Sequence, residues 1–118
     1  MSFRAASREA KKSHHNQHRL GAVIVKGNRV LSTGFNQMRP SSLLGTPTLH
    51  AEAAAILKLL KDKRLHDLLG SELYVFRFTR GGAIGCAKPC LACYNLIKAV
   101  GIRRIHFTDH TGTGVIKL

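Results

Sequence analysis

The sequence predicts an α/β fold in which a sheet of about five strands is covered by helices. Segments with helical periodicity alternate along the chain with segments rich in β-branched and aromatic residues. The last two strand-like segments are joined by residues 109–114, a stretch with two glycines that is too short for a parallel crossover. We therefore expect the final strand to run antiparallel to its predecessor. The 118 residues suffice for one domain, and we expect residues 1–118 to form it.

The amino-terminal elements are a helix and a hairpin. Residues 5–13 form a short polar stretch that we expect to be helical. Residues 20–25 are a continuous apolar run, and residues 29–34 are a second strand-like run. The Gly27-Asn28 pair between them is typical of a hairpin turn.

A long loop and an apolar helix follow. Residues 36–48 contain two prolines and are predicted to be an exposed loop, of a length that is often functional. From residue 50 to residue 64, Ala53, Ile56 and Leu60 recur at helical spacing and form an apolar stripe.

The remaining segments predict a strand at 73–78, a helix at 90–100, and strands at 102–108 and 115–118. Pro89 stands just before that helix, where its fixed φ is compatible with a helix start.

Composition excludes several classes of protein. At 44% hydrophobic residues the chain can bury a core, so it is not disordered. No run approaches 18 apolar residues, so we expect no membrane contact through a spanning helix. The basic first segment is followed by Ser13 and two histidines rather than an apolar run, unlike a secretory signal. We expect a soluble protein of the cytoplasm whose three cysteines stay reduced.

The net charge of +13 bears on the partners of the protein. Such a charge repels further copies of the chain, which favours a monomer, and attracts polyanions. The alternative is a solvated basic surface with no specific partner. Because Lys and Arg are spread along the whole chain rather than gathered in a tail, the folded body itself must be positive.

Three short motifs carry the chemistry: Gly34-Phe-Asn36, His50-Ala51-Glu52 and Pro89-Cys90-x-x-Cys93. Taken alone, the cysteine pair fits a redox site as well as a metal site. Two thiolates and an imidazole together are a ligand set that selects zinc, and three protein ligands leave the fourth tetrahedral position open for catalysis. With Cys86 as a fourth ligand the site would instead be structural.

Taken together, these motifs resemble the zinc-dependent cytidine deaminase superfamily, whose signature is H-x-E followed by P-C-x-x-C. The resemblance covers nearly the whole chain and implies a three-layer α/β/α fold, with a mixed sheet and helices on both faces. It implies that His50, Cys90 and Cys93 bind Zn²⁺ and that Glu52 is the catalytic proton shuttle.

The substrate contacts and the class of substrate are less sharply indicated. By resemblance Asn36 contacts the substrate, and Ala51, His18 and Phe35 are further candidates. Together with the charge, resemblance to compact phage-like and metagenomic deaminases favours cytosine in single-stranded nucleic acid, DNA over RNA. Arg19, Arg39, Lys11 and Lys12 are the candidate nucleic-acid contacts. The alternatives are deamination of free cytidine, deoxycytidine or their nucleotides, deamination of adenosine in tRNA or DNA, and a zinc-stabilised nucleic-acid-binding module without activity.

Overall fold

The computed structural model describes residues 2–14, 18–39, 41 and 48–118. Its elements in chain order are α1 Ser2–Ala10, β1 His18–Lys26, β2 Arg29–Phe35, α2 Ala51–Lys61, α3 Leu65–Leu68, β3 Glu72–Thr79, α4 Leu91–Ala99, β4 Arg104–Asp109 and β5 Gly112–Lys117. These five strands form one sheet in the order β2-β1-β3-β4-β5. Among these strands only the β3–β4 pair is parallel. The predicted mixed sheet of five strands is confirmed.

Helices cover both faces of this sheet, as expected. On one face, Ala6 of α1 packs against Val23 and Val25 of β1, with Tyr74 and Phe76 of β3 at the margin. On the other face lies the main core, which joins the sheet to α2 and α4; among its members are Ala22, Ile24, Ala51, Ala55, Leu73, Val75, Cys93 and Ile97. Alternate residues of β1 and β3 therefore contribute to two separate cores.

Close packing of α2 on β2 fixes the start of that helix. A Cβ added at Gly34 would lie 2.5 Å from the carbonyl oxygen of Ala51 and 2.6 Å from the amide nitrogen of Ala55. Ser32, two residues earlier on the same face, donates to the carbonyl of Ala55 at 2.8 Å. Only glycine at position 34 lets the backbone of α2 come this near the sheet.

The final hairpin confirms the predicted antiparallel pairing of β4 with β5. The strands reach further than expected, because only His110 and Thr111 lie between them. Asp109 makes this tight turn feasible, since its Oδ1 accepts from the amide of Thr111 at 2.8 Å and from its hydroxyl at 2.9 Å.

Several helix boundaries differ from the sequence-based expectation; the first helix, for example, ends at Ala10 rather than at residue 13. The second helix ends at Lys61 rather than at residue 64, because Lys63 takes a left-handed conformation with φ of 56°. A separate short helix, α3, follows, and the sequence pattern did not predict it. The first helix starts at Ser2 rather than at residue 5. None of the described helices is both long and apolar enough to cross a membrane.

The predicted loop of residues 36–48 lies partly outside the described residues. Its two ends are joined, since Gln37 and Leu49 exchange backbone hydrogen bonds of 2.9 and 3.0 Å. This bridge brings the residue before His50 back to the end of β2.

Candidate metal centre and active site

The structure brings His50, Cys90 and Cys93 together. His50 Nδ1 lies 3.0 Å from the Cys93 sulfur and 3.8 Å from the Cys90 sulfur. One donor atom from each of the three residues falls within 4.8 Å of the others. His50 thus meets two cysteines that follow it by 40 and 43 positions in the sequence.

All three side chains belong to residues at the amino-terminal ends of helices α2 and α4. His50 is the N-cap of α2 and Cys90 is the N-cap of α4, both with extended backbone, and neither side chain caps its own helix. Cys93 follows in the first turn of α4 and is fully buried. The positive ends of two helix dipoles therefore meet at the cluster, where they favour anionic thiolates.

The donor set fits a zinc ion. Zn–N and Zn–S bonds of about 2.0 and 2.3 Å in tetrahedral geometry separate the donor atoms by about 3.6 Å. This value lies between the 3.0 and 3.8 Å that separate His50 Nδ1 from the two sulfurs. Burial, with Glu52 and Cys90 beside it, raises the pKa of the Cys93 thiol. That thiol loses its proton only if a cation compensates the charge, and a divalent ion does so.

Cys86 does not belong to this cluster. It is half-buried on the loop before α4 and lines the cavity described below. Three protein donors are therefore gathered around one point, which matches a site with an open fourth position rather than a closed structural one.

Glu52 is the acidic group next to the cluster. It is the second residue of α2 and only 4% exposed, although a carboxylate is rarely buried without a partner. Burial raises the pKa of its carboxyl group, and a hydrogen bond from its own backbone amide, followed by the nearby His50 and Cys93, partly opposes that rise. A raised pKa makes this carboxyl group a better proton acceptor than an exposed glutamate.

A cavity of about 360 Å³ opens over the cluster and has the size of a small-ligand site. Its wall is formed by residues of β1 and β3, by the first residues of α2 and the N-cap of α4, and by the adjoining loops. The lining residues are His18, Leu20, Asn36, Thr48, His50, Ala51, Glu52, Arg77, Cys86, Lys88 and Cys90.

Asn36, the expected substrate contact, has its side-chain amide bonded to β1. Its Oδ1 accepts from the amide of Leu20 at 2.9 Å, and its Nδ2 donates to the carbonyl of His18 at 2.7 Å. The side chain extends the β1–β2 pairing by one rung and fixes the first residues of β1 at the cavity wall. In this structure Asn36 therefore positions His18 as well as lining the cavity.

The other expected substrate contacts divide into two groups. His18 and Ala51 line the same cavity as Glu52. Phe35 does not; it lines a neighbouring cavity together with His14, Gln37 and Arg39, and Asn36 forms the wall between the two. Strand alternation explains the difference, since Phe35 and Asn36 are adjacent in sequence and point to opposite sides.

The four expected nucleic-acid contacts are also divided. Arg19 lies on the α1 face of the sheet, opposite the cavity, where its Nη2 donates to the carbonyl of Lys11 and its guanidinium lies 5.8 Å from the centre of the Phe78 ring. Lys11 and Lys12 are exposed just beyond the end of α1, and Lys12 pairs with Glu9. Of the four, only Arg39 lines the neighbouring cavity, which shares Asn36 with the cavity over the cluster.

Two cations at the cavity wall were not among the residues expected from the sequence. Arg77 is on β3 and Lys88 is on the loop before α4. A signal for Arg77 was present, because it follows Leu73 and Val75 at two-residue spacing and so continues a row that faces the core.

Comparison with known proteins agrees with this geometry. A family model described as the cytidine and deoxycytidylate deaminase zinc-binding region matches residues 2–109. The deoxycytidylate deaminase of Mycobacterium phage D29 is 32% identical over 124 aligned residues, covering 85% of each chain.

Two solved structures share the fold. The cytidine deaminase from Burkholderia pseudomallei superposes with a TM-score of 0.72 at 20% identity, over 98% of this chain and 89% of that one. The dCMP deaminase from cyanophage S-TIM5 gives a TM-score of 0.69 at 24% identity, over 92% and 79%. The expected mixed α/β fold is thereby confirmed.

Proposed function

Because this chain belongs to the zinc-binding family of cytidine and deoxycytidylate deaminases, we propose that it removes the amino group of cytosine by hydrolysis in a free nucleoside or nucleotide. The observation that carries the proposal is that His50, Cys90 and the buried Glu52 line one cavity of small-ligand size, with Cys93 buried beside them in the same three-residue cluster. The net reaction consumes water and releases ammonia, leaving uracil.

The residues of the cavity have separable roles in that reaction. His50, Cys90 and Cys93 would hold the zinc ion, which when bound supplies a water molecule that ionises near neutral pH. Asn36 and Ala51 contribute to the wall against which the base is positioned. The buried location of Glu52 excludes bulk water from the carboxyl group.

Glu52 carries the protons. Its carboxylate accepts the proton released by the attacking water and gives it to the ring nitrogen next to the amine-bearing carbon, C4. After the carbon–oxygen bond has formed at C4, the same carboxylate takes the remaining proton from the new hydroxyl group and transfers it to the departing amine. The C4–N bond then breaks, ammonia leaves, and the oxygen remains on C4 as the carbonyl of uracil. A ligand of the ion could not perform these transfers, so it matters that the cluster of donor atoms does not include Glu52.

Replacement of Glu52 by glutamine tests this role. The Glu52→Gln variant keeps the shape of the side chain but cannot shuttle protons, so we expect deamination of deoxycytidine and dCMP to fall by about 10²- to 10⁴-fold. Zinc content and melting temperature should stay near the wild-type values. The matched control is Glu9→Gln, another buried carboxylate but on α1, and it should keep its activity. Near wild-type activity of Glu52→Gln would refute the assignment.

Free substrates are favoured over polymers by the surface of the protein. The five phenylalanines and two tyrosines all lie in the described part of the chain and are all half-buried, so none offers an exposed platform for stacking successive bases. The relatives reported above are named as deaminases of deoxycytidylate or cytidine.

Deamination of cytosine in single-stranded DNA is the second candidate. The net charge of +13 favours it, because a single small nucleotide does not require so positive a body. Incubation with free nucleosides, free nucleotides and mixed-sequence DNA and RNA oligonucleotides, with uracil and inosine as products, separates the two candidates. It also tests the adenosine alternative.

A further inference from the structure

Arg77 occupies a position where strand alternation would place a core side chain. Leu73 and Val75 precede it on the same face of β3, and both are fully buried in the main core. On the neighbouring strand, register pairs Arg77 with Leu20, which lines the same cavity. A permanently charged guanidinium thus ends an apolar row at the cavity wall.

The guanidinium is held in place by neutral groups. Its Nη1 donates to the carbonyl of Cys86 at 3.2 Å, and its Nη2 donates to Nδ1 of His18. His18 is in turn anchored through its own carbonyl by Asn36. Since arginine only donates, Nδ1 of His18 accepts here, and the imidazole contributes no compensating charge.

Arg77 has no anionic partner among the described residues, which include every Asp and Glu of the chain. Its Nε is buried and finds no hydrogen-bond partner in the described part of the chain. A half-buried, fixed cation without a counter-charge is costly, and its planar fork of donors matches an oxyanion. Lys88 adds a second positive charge at the wall of the same cavity.

We propose that Arg77, assisted by Lys88, binds a phosphate group attached to the sugar of the cytosine substrate. The proposal rests on the function proposed above and narrows its substrate class to phosphorylated cytidines. The base enters toward Glu52, and the phosphate is bound by the cations at the wall of the same cavity. Arg77 is a specificity-determining residue in this scheme, since it acts on the phosphate and not on the reacting carbon.

The test compares each substrate with and without its phosphate. For Arg77→Gln, we expect kcat/KM for dCMP to fall by about 10- to 100-fold, mainly through KM, because a hydrogen-bonded ion pair is lost. The value for deoxycytidine should change by less than about twofold. Arg77→Lys should recover part of the loss. Arg80→Gln is the matched control, because Arg80 is exposed just beyond the end of β3 and does not line the cavity.

Equal losses on dCMP and deoxycytidine would overturn the proposal. A loss confined to an oligonucleotide substrate would support the phosphate site and identify its source as a polynucleotide backbone. Binding of dUMP and deoxyuridine, measured by calorimetry, separates this inference from the proposed reaction. Tighter binding of dUMP that Arg77→Gln abolishes supports the site even if no deamination occurs, and equal binding of the two ligands to the wild type overturns it.

Discussion

The cysteines show at the residue scale how environment assigns different roles to the same side chain. Cys93 is fully buried in the first turn of α4, whereas Cys90 is exposed at the N-cap of that helix. Both face His50. Cys86 is only four residues from Cys90, but it belongs to the preceding loop and contributes its carbonyl to Arg77. Despite its proximity in sequence, Cys86 therefore lies outside the cluster of donor atoms.

Serine substitutions test this division. We expect Cys93→Ser to lose most of its bound zinc, because a hydroxyl is a poor replacement for a thiolate ligand, and to lose deamination with it. Cys86→Ser is the matched control and should retain about one zinc ion per chain. Elemental analysis of the purified proteins measures the zinc content of both variants. Loss of zinc from Cys86→Ser would show that the site is closed by four protein ligands.

At the element scale, the one parallel strand pair of the described sheet is joined by an ionic cluster at its start. Glu72 of β3 lies 2.8 Å from Nε2 of His106 and 3.2 Å from Nη2 of Arg103. The hydrogen bond from His106, followed by the charge of Arg103, lowers the pKa of the Glu72 carboxyl. The Tyr74 ring stacks on His106 with centroids 4.1 Å apart, which completes the cluster.

The lowered pKa gives a stability prediction with a definite sign. Glu72 stabilises the fold above the pKa of an unfolded glutamate, about 4.3, and this contribution disappears as the pH falls through the lower pKa of the folded state. We expect Glu72→Gln to reduce the free energy of unfolding by about 0.5–1.5 kcal/mol at pH 7. The difference from wild type should shrink at pH 4 and below.

Denaturant titrations across this pH range measure the effect. The control is Asp62→Asn, an exposed carboxylate at the end of α2, which should change stability little at either pH. A difference between Glu72→Gln and wild type that stays constant with pH would exclude the ionic cluster as its cause.

Packing of α2 on β2 gives a second prediction at this scale. Gly34→Ala places a methyl group 2.5 Å from the backbone of Ala51, so helix or strand must move. We expect a loss of about 1–3 kcal/mol in the free energy of unfolding and weaker zinc binding, because His50 immediately precedes the displaced turn. Gly81→Ala is the control, since a Cβ there meets nothing within 4 Å. Thermal melts measure the change in stability, and zinc titrations measure the change in zinc affinity. Equal effects of both substitutions would contradict the packing argument.

At the scale of the whole molecule, the two faces of the sheet differ in the cores and cavities that they carry. The α1 face holds a small core and Arg19, while the α2 and α4 face holds the main core, the candidate metal ligands and the cavity. The net charge of +13 is a property of the whole chain, along which Lys and Arg are spread. It acts over longer distances than the cavity contacts, and salt screens it.

Salt dependence separates this long-range attraction from specific recognition. If about four phosphates of a single strand are neutralised, log K for oligonucleotide binding should fall with log salt at a slope of about −3. We expect kcat/KM for dCMP to change by less than about threefold between roughly 50 and 200 mM salt, since at most one phosphate is involved. Fluorescence anisotropy and steady-state rates measure the two quantities. Faster deamination of the oligonucleotide than of dCMP at about 150 mM salt would favour the second candidate function.

The sequence by itself determined those features that depend on neighbours along the chain. Periodicity identified the strands of the sheet and three of the four described helices, although their ends differ by a few residues. The short segment after β4 required an antiparallel hairpin, which the structure confirms. The candidate zinc ligands His50, Cys90 and Cys93 could be predicted because they stand in two short motifs, H-x-E and P-C-x-x-C, each of which spans only a few neighbouring residues. The short helix α3 was missed because four residues carry no periodic signal.

The tertiary structure alone decided which side chains lie on the same face of the sheet and which line the same cavity. Arg19 and Arg77 are both arginines of central strands, yet one packs beside Phe78 on the α1 face and the other enters the cavity. The amide of Asn36 is bonded to the backbone of β1, a contact across 16 and 18 residues of chain. Such outcomes depend on strand register and on the face that each strand presents. A shift of one residue would exchange the two faces, because side chains alternate along a strand.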